Sequence, residues 1–123
     1  MLDTSVVIAE AEVDLPDEAA ISTATLAELH FGVLLARDDE ARRSRLRRLS
    51  EVESRFEALP VDGAVARSYG ALAHAVAVAG RKPRARTMDL LIAATAQANG
   101  AALYTRDRGD LAPLDGLLEV IVV

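Results

Sequence analysis

The chain has 123 residues, 51% hydrophobic and 27% charged, with a formal net charge of −5, a length that matches one domain able to bury a core without staples. It contains no cysteine, which excludes disulfides and thiolate metal sites, and its two histidines, His30 and His74, are isolated with no partner at ligand spacing. The negative balance argues against gripping duplex nucleic acid by charge alone, and four aromatics, Phe31, Phe56, Tyr69 and Tyr104, are too few for a base-stacking platform.

In chain order, "LDTSVVIA" is a β-rich start in which Ser5 can cap a short helix, "VDLPDE" is a loop, and "AAIS" is a short buried strand. "TATLAELHFGVLLA" predicts a helix opened by Thr23 or Thr25. A charged helix follows from about Asp38 to Leu59, with Leu46, Leu49, Val52 and Phe56 on one face. Its basic run "ARRSRLRRL" reads as a solvated face balanced by Asp38, Asp39, Glu40, Glu51 and Glu53. Pro60 ends that helix and "PVD" reads as a minimal strand. "GAVARSYGALAHAVAVAG" is a small-residue helix closed by Gly80, suited to close packing in the core or at a dimer contact. "RKPRAR" is a basic loop leading into a helix from Thr87 to Asn99 that stops at Gly100, and "AALYT" and "LEVIVV" are the last strands. The N-terminus has no basic leader, and no run approaches the ~18 residues of a membrane helix, so the expected location is the cytoplasm.

This alternation implies one α/β domain over residues 1–123, with a central, mostly parallel, twisted sheet of about four or five strands flanked by helices. Ligands of such sheets bind outside the carboxyl ends of the strands. Asp3 comes near the end of the first strand and Asp107 just after "ALYT", so both belong to that rim. Glu28 lies early in its helix and Asp89 in the first turn of its own, where the helix dipole favours an anion. Four acids from four segments then converge on one cleft, where only a hard cation relieves their repulsion. Mg²⁺ or Mn²⁺ suits such oxygen ligands, and phosphodiester hydrolysis is the reaction class that uses the arrangement most directly.

"LDTSVV", "TATLAEL", "DLLIAATA" and "LYTRDRGDL", in that order, make the chain resemble the PIN-domain family, specifically its VapC-type toxin ribonucleases of type II toxin-antitoxin systems. The resemblance covers nearly the whole chain. It implies a three-layer PIN-like fold and an endoribonuclease dependent on Mg²⁺ or Mn²⁺, with catalytic acids Asp3, Glu28, Asp89 and Asp107, of which Asp3, Asp89 and Asp107 are the metal ligands. Thr4, Ser5 and Thr105 match the family's hydroxyls beside the first and last acids, and Asp110 matches a further acid. The resemblance also implies an RNA substrate, a small VapB-like antitoxin and a homodimer. Apolar faces on the short helix after Asp3 and on Thr25 to Leu35 would receive such partners. Arg81, Lys82, Arg84 and Arg86 precede Asp89 closely enough to contact RNA beside it.

Only Met1 and Leu2 precede Asp3, where family members carry a longer apolar run. Either the chain starts further upstream, or the first strand is short and Asp3 is less firmly held. A catalytically inactive PIN-like binding module is the alternative reading, disfavoured by the intact acidic quartet. A dehalogenase-type phosphatase would need a second Asp where Ser5 stands.

Overall fold

A computed structural model describes residues 1–9 and 15–123, with Asp110 described through its backbone only. Val13 and Asp14 of the expected "VDLPDE" loop lie outside the described residues. The elements are α1 (Thr4–Val7), β1 (Ala20–Ser22), α2 (Thr23–Leu34), α3 (Asp39–Arg55), β2 (Glu57–Leu59), α4 (Gly63–Val78), a 3₁₀ turn (Pro83–Arg86), α5 (Thr87–Ala98), β3 (Leu103–Thr105), a second 3₁₀ segment (Gly109–Leu114) and β4 (Val120–Val122).

β1 pairs with β2 and β3 with β4, both in parallel, with Ile21 opposite Ala58 and Tyr104 opposite Ile121. The segment Met1 to Asp3 joins the two pairs. Leu2 N–H donates to Ala20 O (2.9 Å), Tyr104 N–H to Met1 O (2.8 Å) and Asp3 N–H to Tyr104 O (3.0 Å). The spatial order is therefore β2, β1, the N-terminal segment, β3, β4. That first segment amounts to a single bridge between Leu2 and Tyr104. It is short, yet it is bonded on both sides, and Asp3 is held by its own N–H to Tyr104 O.

Successive strand residues point to opposite faces of a sheet, and the core divides accordingly. Met1, Leu59 and Leu103 pack with Val65, Leu72, Val76 and Leu90 of α4 and α5. Leu2, Ile21, Ala58 and Tyr104 pack instead with Val6 and Val7 of α1 and Val52 of α3. Helices thus cover both faces of the sheet, giving the expected three-layer α/β arrangement.

Several boundaries differ from the local pattern. The helical period of α3 runs past its end: Phe56 is extended (φ −116°, ψ 140°), because Glu57–Leu59 pairs with β1, Ala20 opposite Glu57 and Ser22 opposite Leu59. The strand expected at Pro60 accordingly lies before it, and Asp62 caps α4 by accepting from Val65 N–H at 3.0 Å. Ser22 caps α2, accepting from Ala24 N–H at 3.1 Å, while Thr23 and Thr25 lie within the helix. Likewise Asp3, rather than Ser5, caps α1. "RKPRAR" is no open loop, since Pro83 begins a 3₁₀ turn with its fixed φ suited to a first helical position. Gly80 and Gly100 follow their helices at φ 81° and 64°, where a side chain would be strained. Among the described residues no helix is long and apolar enough to cross a membrane.

Candidate active site

At the carboxyl ends of the strands opens a cleft of about 200 Å³, lined by Asp3, Ser5, Arg86, Asp89, Thr105 and Asp107, with Val76, Leu90, Leu103 and Leu111 as its apolar part. Asp3 stands where the first strand segment passes into α1. Its Oδ1 accepts from Ser5 Oγ at 2.5 Å and from Val6 N–H at 3.2 Å. Ser5 Oγ accepts in turn from Arg106 N–H at 3.0 Å, which ties α1 to the loop after β3. Thr105 is buried, and its Oγ1 both donates to Asp107 O (3.1 Å) and accepts from Asp107 N–H (3.2 Å). This hydroxyl shapes the turn that presents Asp107. The Asp107 carboxylate lies so close over Gly109 that a Cβ there would stand 3.0 Å from Oδ1.

Asp89 enters from the other side, in the first turn of α5. Arg86 Nη1 lies 3.6 Å from its Oδ2, with both side chains about half exposed. Three acids expected from sequence, Asp3, Asp89 and Asp107, therefore line one cleft together with Ser5 and Thr105. Glu28 does not line it. Its Oε1 accepts from Thr4 Oγ1 at 2.6 Å, and Thr4 Oγ1 also lies 3.4 Å from Thr25 Oγ1. The side chain of Asp110 lies outside the described part of the structure. The four cations flanking Asp89 are all exposed, and of them Arg86 lines the cleft.

Among the described residues, no three His, Asp or Glu side chains form a ready-made cluster for a metal ion. The acids instead engage partners of their own, by hydrogen bonds or an ion pair. Asp3 is turned to Ser5 and Val6, Asp89 to Arg86, and Glu28 to Thr4. Two residues near the site escape a reading of the sequence. Gly109 carries a faint signal, a glycine two positions after an acid that follows a strand. Arg48, read as part of a solvated face, carries none, because its acceptors are backbone carbonyls of Val7 and Ala9.

The chain is similar to known proteins over nearly its whole length. The model of the PIN domain family matches residues 1–116. Ribonuclease VapC5 of Mycobacterium tuberculosis is 40% identical over 129 aligned residues, spanning all of this chain and 93% of that protein. Ribonuclease VapC4 of the same organism is 39% identical, over 100% and 95%. Among solved structures, VapBC-5 of M. tuberculosis, a member of the VapBC family of toxin-antitoxin systems, superposes with a TM-score of 0.87 at 42% identity, covering 99% of this chain and 96% of that one. VapBC2 of Rickettsia felis, bound to a fragment of its promoter DNA, superposes at 0.74 with 26% identity over 86% and 75%. With a matched family model over almost its full length and relatives that align from end to end, the chain belongs to the PIN domain family.

Proposed function

We propose that this chain is a VapC-type toxin: a divalent-metal-dependent endoribonuclease acting in the cytoplasm as one domain over residues 1–123 and restrained by a small VapB-like antitoxin. The observation that carries the reading is the meeting of Asp3, Asp89 and Asp107, from three distant segments, in one cleft at the carboxyl rim of the sheet. The relatives named as ribonucleases support the reaction.

The donor set suits a hard cation, since the polar lining offers carboxylate and hydroxyl oxygens and the chain has no thiol. Arg86 beside Asp89 marks a place where positive charge is already favoured. Asp3, Asp89 and Asp107 would hold the ion. An Mg²⁺ or Mn²⁺ held there would supply Lewis-acid activation of water and charge stabilisation for phosphodiester hydrolysis. Ser5 orients the Asp3 carboxylate, Thr105 sets the turn bearing Asp107, and Glu28 fixes the Thr4 hydroxyl at the start of α1. Arg86 balances Asp89 before a cation binds and can then turn to a phosphate oxygen of RNA. Incubation of purified protein with RNA is expected to give cleavage with Mg²⁺ or Mn²⁺ and none with EDTA. Cleavage that persists in EDTA would overturn the metal assignment.

Affinity for RNA should come from the metal site plus a few cations. Replacing Arg81, Lys82 and Arg84 together with Gln leaves the Arg86–Asp89 pair in place. It is expected to flatten the slope of log affinity against log salt by roughly 2, at about 0.7 per contact on a single strand, with Mn²⁺ affinity unchanged. An unaltered slope would move the RNA track to Arg42, Arg43 and Arg47.

The apolar side chains Ile8, Phe31, Leu34 and Leu35 are exposed, Phe31 by 61% and Leu34 by 75%. Such a face suits an amphipathic antitoxin segment, and a homodimer completes the proposed assembly. Coexpression with a small VapB-like antitoxin is expected to yield a copurifying complex, and light scattering a mass above that of one chain. A lone monomer in both measurements would remove the partners from the reading.

A further inference from the structure

The arginines of α3 are exposed, yet two of them also bond to backbone carbonyls of other elements. Arg45 Nη1 donates to Gly32 O on α2. Arg48 reaches further: Nε donates to Val7 O at 3.0 Å, and Nη2 donates both to Val7 O and to Ala9 O, the latter at 3.1 Å. Two of its three guanidinium nitrogens are thus engaged by carbonyls at the C-terminal end of α1.

That end needs a holder. α1 has four residues, and a single helical turn does not persist alone, because nucleation costs more than its few bonds return. Thr4 O accepts from Ile8 N–H and Val6 O from Ala9 N–H, while the Val7 carbonyl has no partner within the helix. A cation at a helix C-terminus is favoured by the dipole, and the planar fork of Arg can span two carbonyls where an ammonium cannot. On the apolar side, Val6 and Val7 pack with Val52, one turn beyond Arg48 on the same helix. α3 therefore grips α1 twice, through Val52 and through Arg48.

What α1 carries is the site. Asp3 is its N-cap and Thr4 and Ser5 open it, and these three bond to Val6 N–H, Glu28 and the loop after β3. We infer that Arg48 is a positioning residue for the metal centre: by clamping the C-terminal end of α1 it sets where the Asp3 carboxylate stands. This rests on the metal-dependent reading above.

The test is Mn²⁺ titration of the whole protein without RNA, well below the melting temperature, for wild type, Arg48→Gln, Arg48→Lys and the control Arg47→Gln. Arg48→Gln is expected to weaken Mn²⁺ affinity about three- to tenfold, less than the 10–100-fold usual for a partner that touches a ligand directly. Arg48→Lys, which keeps the charge but not the fork, should fall between, and Arg47→Gln should match wild type. If Arg48→Gln does not fold, Arg48→Lys is read alone, with any loss of Mn²⁺ affinity supporting the clamp. Unchanged Mn²⁺ affinity in a folded Arg48 variant would overturn the proposal, leaving a structural role if only the melting temperature drops, or an RNA contact if only the salt slope of RNA binding changes. If the wild type itself binds no Mn²⁺, the metal reading falls and the clamp's role with it.

Discussion

Replacing Asp89 with Asn is expected to lower metal-dependent RNA cleavage by roughly 100-fold or more, since loss of a proposed ligand should exceed the 10–100-fold usual for partners that only support ligands. The fold should survive. Asp89 and Arg86 are 3.6 Å apart with side chains 53% and 50% exposed, and an exposed pair of this kind contributes about 0–1 kcal/mol. A carboxylate in the first turn of α5 also gains a few tenths to about 1 kcal/mol from the helix dipole. Against these losses, the substitution removes one of three acids lining a single cleft. The terms nearly offset, so thermal melting should move by only a few degrees, while Mn²⁺ titration should show a large loss of affinity. A folded variant that cleaves RNA at the wild-type rate would show that Asp89 holds no ion.

Asp3 serves two purposes that two substitutions can separate. Its charge is proposed to bind metal, and its Oδ1 caps α1 by accepting from Val6 N–H. Asn keeps an acceptor oxygen without the charge, whereas Ala removes both. Cleavage is expected to fall by roughly 100-fold or more in each. Only Asp3→Ala should lose the cap, at a cost of about 1 kcal/mol, seen as a melting temperature a few degrees below that of Asp3→Asn. Activity retained in Asp3→Asn would show that the carboxylate charge is dispensable. Equal melting temperatures in the two variants would show that the cap contributes nothing.

The order of strands and helices, the three-layer class and the rim on which the acids fall were legible in the sequence because each depends on near neighbours. Apolar period, a capping residue such as Asp38 before α3, and glycines at positive φ after α4 and α5 act within one or two turns of chain. From such signals the placement of Asp3, Asp89 and Asp107 followed. Other features depended on partners far along the chain. Local period carries α3 on toward Leu59, but pairing with β1 draws Glu57–Leu59 into the sheet, where ladder bonds outweigh helical propensity. The two residues before Asp3 are too few for an ordinary strand, yet hydrogen bonds to residues 20 and 104 hold them centrally. Glu28 bonds to Thr4 instead of lining the cleft, and Arg48, exposed as expected, bonds to carbonyls some 40 residues away. A carboxylate or guanidinium reaches for whichever donor or acceptor the fold brings near, and only the tertiary structure decides which that is.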